Sequence, residues 1–287
     1  MQENNLIRCM SALAFEPWLI TPIMHRKLCD IVEAHILHPN EQHAVASQMP
    51  VNPSPRAFTV AGDNVAVIPI DGVIGRKFSS SLYSSGVTSV DVLARLVDMA
   101  ATDEEVNAIM LVFDSPGGSV QGVAEASAAV KRAMSIKPVI AYADGQMCSA
   151  AYWIGSQASA IYSWDESSIG SIGVYSAFLD QSRAFEMAGV KPEIFKSGEH
   201  KGMGMPGTSL TTDQKAMIQA SVDEIGAKFR ATVQAGRKRP IDDEDMQGQS
   251  FSAQEAMGNG LIDSISTFAV ALADAGRLGR KQKEKKG

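Results

Sequence analysis

The sequence predicts an α/β domain built on a mostly parallel sheet, and three features predict it. Short continuous apolar runs of strand length recur along the middle of the chain: NVAVIPIDGVIG (64–75), AIMLVFD (108–114) and PVIAYA (138–143). Runs of this kind fit strands covered on both faces, because a strand with one wet face alternates polar and apolar residues. Segments with helical spacing separate them, and strand–helix alternation is the signature of a parallel sheet.

The elements follow in order. Residues 64–75 read as a strand with Gly72 at a bend, and Val90, Leu93, Val97 and Ala100 share one face of a helix over 89–101. The strand 108–114 leads into SPGGSV and a helix over about 121–134; the strand 138–143 leads to a helix of small residues opening near Ser149. AIYSW (160–164), IGVYSAF (172–178) and PEIFKS (192–197) read as strands, with a helix near 179–188 between the last two. A long helix is predicted over 211–236, capped by Thr211 or Thr212. IDDEDMQ (241–247) reads as a solvated helix start rather than a metal site.

These elements fall into three regions. Residues 1–60 hold His25, His35, His38 and His43 and end in MPVNPSPR, a linker by composition. Residues 61–275 carry the fold. Residues 276–287 form a basic tail expected to be disordered, a solvated end with a weak partner or nucleic-acid role as the alternative.

Composition excludes several classes. The 287 residues carry a net charge of −6, which argues against a broad nucleic-acid surface. Three cysteines, Cys9, Cys29 and Cys148, form neither a disulfide framework nor a zinc spacing and fit a reducing compartment. The first residues do not read as a secretory signal, and no run approaches the ~18–20 apolar residues of a membrane span. The expectation is a cytoplasmic protein with no membrane attachment.

Three segments can carry chemistry. In DSPGG (114–118) a proline and two glycines follow a buried strand, so the backbone can turn an N–H into a cleft with no side chain in the way; the plain alternative is a tight strand-to-helix turn. In GQMCSAAYWIGSQA (145–158), Ser149 stands between a strand and a helix, where a nucleophile is exposed and the N–H of Ala150, with that of Gly118, can meet a developing oxyanion. The alternative is a serine cap on a closely packed helix. In IFKSGEHKGMGMPG (194–207) a Gly-rich loop holds Lys196 and Lys201, by default solvated charges. A serine nucleophile needs a base. His200 is the one histidine after residue 43, so the base is His200, a lysine, a carboxylate or a histidine folded back from the N-terminal region.

SPGG after a strand, the small-residue serine helix with Tyr152, GSIGV (170–174), KSGEHKGMGMPGTSLT (196–211) and the closing GQSFSAQEAMGNGLIDSI (248–265) occur in this order. Together they resemble the signal peptide peptidase A (protease IV) family, within the Clp-protease and crotonase-like superfamily. The resemblance covers about residues 64–275. It implies repeated β-β-α units around the sheet, a Ser/Lys peptidase with Ser149 as nucleophile and Lys201 as general base, Ser171 positioning the lysine, and Gly118 and Ala150 as oxyanion donors. It also implies no cofactor or metal, polypeptide substrates and a ring of identical copies. Cys148 then reads as a small buried residue and His200 as a loop neighbour.

Two departures stand out: Ala150 and Ala151 replace glycines that usually follow the nucleophile, and Gly202 replaces an aspartate that often follows the base. A lysine base is demanding, because the free amine has a pKa of about 10.4 and base catalysis at neutral pH wants about 7–8, a shift worth roughly 4 kcal/mol. The N-terminal SALAFEPWLITPIMHRKLCDIV resembles the phage head-maturation (prohead) proteases, minor capsid components that cleave scaffold and capsid proteins. That branch would place the chain in the host cytoplasm and within the prohead. The alternatives are a host peptidase of the same family, a crotonase-like acyl-CoA enzyme and a non-catalytic head protein.

Overall fold

The computed structural model describes residues 17–27, 29, 58–76 and 87–285. Its strands are β1 (Trp18–Ile20), β2 (Thr59–Ala61), β3 (Val65–Gly75), β4 (Val87–Ser89), β5 (Ala108–Ser119), β6 (Val139–Cys148), β7 (Ala160–Ser163), β8 (Ser168–Gly170), β9 (Ser250–Ser252) and β10 (Ser264–Ile265). The labelled helices are α1 (Val90–Thr102), α2 (Val123–Ile136), α3 (Ala150–Gly155), α4 (Ser182–Met187), α5 (Thr212–Gly236), α6 (Ala253–Gly258) and α7 (Phe268–Glu284). The α/β class and the mostly parallel sheet are as expected.

The described strands make one sheet whose main path runs β10–β7–β6–β5–β3–β2. The central pairs β3–β5, β5–β6 and β6–β7 are parallel, and β1, β2 and β9 join antiparallel. Burial on both faces explains the unbroken apolar runs. Along β5 the side chains alternate. Ile109, Leu111 and Phe113 enter the large core with α1, α2 and α3, whereas Ala108 and Met110 meet Ala271 and Ala275 of α7 on the other face.

Several expectations are corrected. The DSPGG segment is not a strand-to-helix turn: β5 continues through it to Ser119, and α2 begins only at Val123. Residues 172–178 form no strand; Tyr175 makes a lone bridge to Trp18, while Ile172 packs into the core. Residues 192–197 form no strand either, and Phe195 is 93 % exposed. An apolar run makes a strand only where a neighbour offers a backbone over several residues; among the described residues the first run pairs only at Tyr175 with Trp18, and 192–197 lies in no strand. The stretch expected to be a disordered tail from residue 276 is helical to Glu284. Its buried face is Ala271, Ala275, Gly276 and Gly279, small residues that hydropathy does not register. A Cβ on Gly279 would lie 2.8 Å from the Asn107 carbonyl carbon, so glycine permits this close approach, and Arg280 pairs with Asp63. The acidic 241–247 stretch holds a short 3-10 turn, Asp243–Met246, with Met246 buried. Thr211 is the cap of α5: its hydroxyl accepts from the Gln214 N–H, and the Gln214 side chain accepts from the Thr211 N–H.

Candidate active site

Parallel strands β3, β5 and β6 end together, and such carboxyl ends are where open α/β sheets bind ligands. Ser149 is the residue after β6 and the cap of α3, with φ 54° and ψ −116°. A non-glycine residue at positive φ costs about 1–3 kcal/mol and persists only where its surroundings impose it. They do so here: the Ser149 N–H donates to the Gly170 carbonyl at 2.7 Å, and its carbonyl accepts from the Trp153 N–H at 2.9 Å. Every residue of α3 is buried, Trp153 stacks on Phe229 of α5 with ring centroids 4.6 Å apart, and the Tyr152 hydroxyl donates to the Leu261 carbonyl at 2.7 Å. Burial pushes the Tyr152 phenol well above its usual range, so this donor keeps its proton.

Two glycines of SPGG are closely packed. A Cβ on Gly117, whose φ is +102°, would lie 2.9 Å from Ser149 Cβ and 3.1 Å from the Ala150 nitrogen, and would overlap the Leu19 carbonyl oxygen. Gly118 is pressed against the Ile74 backbone. The Gly117 backbone, the Ser149 side chain and the Ala150 nitrogen therefore crowd one point. Ser171 lies beside them, buried at φ 50°, its N–H donating to the Gln249 carbonyl at 2.7 Å.

Lys201 is not brought to this point. It is exposed, on a long arm of residues 176–211, and Ser149 Oγ is buried with no hydrogen-bond partner among the described residues. The arm's Leu179, Met187, Val190, Ile194, Phe195 and Met205 are all exposed. His200, on the same arm, is exposed as well. Cys148 is buried with its sulfur facing the Ser168 carbonyl at 3.4 Å and the Ser250 hydroxyl at 3.8 Å. Burial pushes its thiol up and the hydrogen bonds only partly offset this, so it is a poor thiolate source.

The sequence reading missed what lies beside SPGG. Strand β1 pairs antiparallel with Gly117–Ser119 and, on its other edge, Trp18 exchanges two hydrogen bonds with Tyr175, 2.8 and 3.2 Å. The signal was present: Pro17-Trp-Leu-Ile-Thr-Pro22 is a short apolar run bracketed by prolines, a strand pattern. Among the described residues no helix is long and apolar enough to cross a membrane.

Comparison with known proteins bears on this geometry. The chain is 31 % identical over 213 residues to the Capsid assembly protease C of Escherichia phage lambda, 73 % of this chain and 48 % of that protein. It is 30 % identical over 223 residues to Protease 4 of Salmonella typhi, 76 % of this chain and 35 % of that one. It is 26 % identical over 212 residues to the Head-tail preconnector protein GP5 of Enterobacteria phage P21, 74 % and 42 % respectively. The chain thus spans half or less of the length of these relatives. Residues 131–281, which include Ser149, Ser171 and Lys201, match Peptidase family S49, and the chain belongs to that family.

Proposed function

We propose that the chain is a serine endopeptidase in which Ser149 is the nucleophile and Lys201 the general base. The observation that carries this reading is the strained Ser149 backbone, held where its side chain, the Ala150 N–H and the SPGG backbone converge. In the first step Ser149 Oγ attacks the peptide carbonyl while the neutral Lys201 amine takes the hydroxyl proton. The Gly118 and Ala150 N–H groups hold the oxyanion. The lysine ammonium then protonates the leaving amine, and water hydrolyses the acyl-enzyme along the reverse path. Ser171 positions the lysine amine, and no cofactor takes part. Two of the relatives are phage proteins named for capsid assembly and for the head–tail preconnector, which favours scaffold and capsid proteins of a phage prohead, in the host cytoplasm, as substrates.

Incubation of wild type and variants with such a scaffold protein, followed by mass spectrometry, tests the assignment. Ser149→Ala and Lys201→Ala are expected to lose at least about a thousandfold in rate while staying folded. Lys201→Arg is expected to be as inactive, because a guanidinium cannot give up its proton. Cys148→Ala should cut normally. Wild-type rates in Ser149→Ala would remove the serine from the mechanism.

Lys201 must come to Ser149 to act, and the uncovered apolar arm supplies a reason for it to move. A group of exposed apolar side chains of this kind marks an interaction surface. The proposed ring of identical copies would cover it and dry the lysine's surroundings, which is what a lysine base needs. Light scattering should show an oligomer for wild type. Phe195→Asp is expected to weaken association by about 2 kcal/mol, roughly 30-fold, and to lower activity at dilute concentration with it. A monomeric wild type of full activity would exclude the ring.

A further inference from the structure

The slot beside SPGG is where an extended polypeptide would add itself to the sheet, pairing its backbone with β5 on one edge. That slot is filled by β1. The register is Ile20 against Gly117 and Leu19 against Gly118, and the Thr21 N–H donates to the Pro116 carbonyl at 3.1 Å. Hydrogen-bonded and non-hydrogen-bonded pairs alternate in an antiparallel ladder. With Thr21 and Pro116 in a bonded pair, Leu19 and Gly118 are the next bonded pair, and the Gly118 N–H points at the Leu19 carbonyl. The same carbonyl oxygen is the atom nearest to the Gly117 Cα face that also meets Ser149 Cβ and the Ala150 nitrogen. Trp18, one residue earlier, turns its N–H and carbonyl to the opposite edge and bonds Tyr175, as a strand held on both sides must. The Leu19 side chain is 0 % exposed and belongs to the main core cluster, while Trp18 and Ile20 pack with Val73 on the other face.

We propose that β1 is a resident strand in the substrate groove, seated as a substrate would be, with the Leu19 carbonyl at the oxyanion donors and the Leu19–Ile20 bond beside Ser149. Two consequences follow. A polypeptide substrate must displace Trp18–Ile20 before it can bind. The groove's selectivity is that of its occupant: an extended segment with a large apolar residue at the place of Leu19 and extended backbone on both sides. This rests on the reading of Ser149 as nucleophile only for the naming of the bond; the occupancy itself is a matter of binding.

The test separates the two. The probe is a fluorescein-labelled peptide with the sequence of residues 15–23, followed by fluorescence anisotropy, and the receptor is the full chain carrying Ser149→Ala so that nothing is cut. Adding Leu19→Asp to the receptor places a carboxylate where a buried leucine sat and should vacate the slot. Trp18→Ala with Ile20→Ala vacates it by another route, should Leu19→Asp fail to fold. The vacated receptor is expected to bind the peptide at least about tenfold tighter than Ser149→Ala alone, because the competent fraction of grooves rises. A peptide carrying Leu19→Asp should not bind. Equal affinity of the parent and of a vacated receptor that melts cooperatively overturns the proposal. With Ser149 restored, vacated chains should also cleave substrate about tenfold faster. Tighter binding with no cleavage by any variant would sustain the occupancy and overturn the peptidase assignment.

Discussion

Gly118→Ala is expected to lower the melting temperature by roughly 10 °C and to abolish peptidase activity together with it. The added methyl group would sit 2.5 Å from the Ile74 carbonyl carbon and 2.7 Å from the Ile74 nitrogen, on a strand paired in register with β5. These are backbone atoms of the sheet's centre, so relief requires opening the β3–β5 ladder rather than turning a side chain. Destabilisations above about 4 kcal/mol arise from such overpacking, and each kcal/mol moves a domain of this size by about 2–4 °C. The same substitution at Gly258 is the control. It has nothing within 4 Å of its would-be Cβ and ends α6, so Gly258→Ala should be neutral or stabilising by up to about 1 kcal/mol. Calorimetry on the two variants gives opposite signs if the close approach is as described; a Gly118→Ala protein melting with wild type would refute it.

Arg237→Ala is expected to cost about 3–5 kcal/mol. The Arg237 side chain is 2 % exposed, bonds Asp263 at 2.9 Å and donates to the Gly260 carbonyl at 3.2 Å. Asp263 in turn accepts from the Ile161 N–H at 2.8 Å, so one buried pair ties the end of α5 to β7 and to the chain's closing segment. Burial pushes the Asp263 carboxyl up, but Arg237, the Ile161 N–H and Lys238 together outweigh it and hold the group below the usual carboxylate range. A carboxyl whose folded pKa is depressed contributes stability above its unfolded value of about 3.9, and that contribution vanishes as pH falls through the folded value. Urea titrations should therefore show the full gap between wild type and Arg237→Ala from pH 7 to about pH 5, closing below about pH 4. A gap that persists unchanged in acid would assign the loss to packing rather than charge.

What the sequence revealed and what it hid divide along a physical line. The first halves of β3, β5 and β6, residues 65–70, 108–113 and 139–143, announce themselves because strand segments covered on both faces are apolar without a break. The place of Ser149 between strand and helix was legible, but that place alone also fits a plain helix cap, and it was the order of the motifs that singled the serine out. Ile194 and Phe195 misled, because an apolar pair reads the same in sequence whether the chain's own core covers it or leaves it exposed. The helix to Glu284 was hidden because Gly276 and Gly279 pack by being small, a property of shape that hydropathy does not carry. Lys201 can be named from motif order but not joined to Ser149 by it, since the arm that holds the lysine makes few bonds to the body. The β1 slot was out of reach for another reason: Trp18 and Gly118 are a hundred residues apart, and pairing of that range leaves no local mark.

The clamp on α3 also sets a schedule. The Tyr152 hydroxyl that holds the helix after Ser149 bonds the carbonyl of Leu261, about 110 residues later in the chain. At about 5–20 residues per second of synthesis, the ribosome makes Ser149 roughly 5–20 s before it makes the residue that locks its helix in place. During that interval strands β3 to β6 and Gly170, whose carbonyl fixes the Ser149 N–H, are already synthesised, while the Tyr152 tether has no partner yet. Ser149 is thus in the chain well before the tether that closes its helix exists.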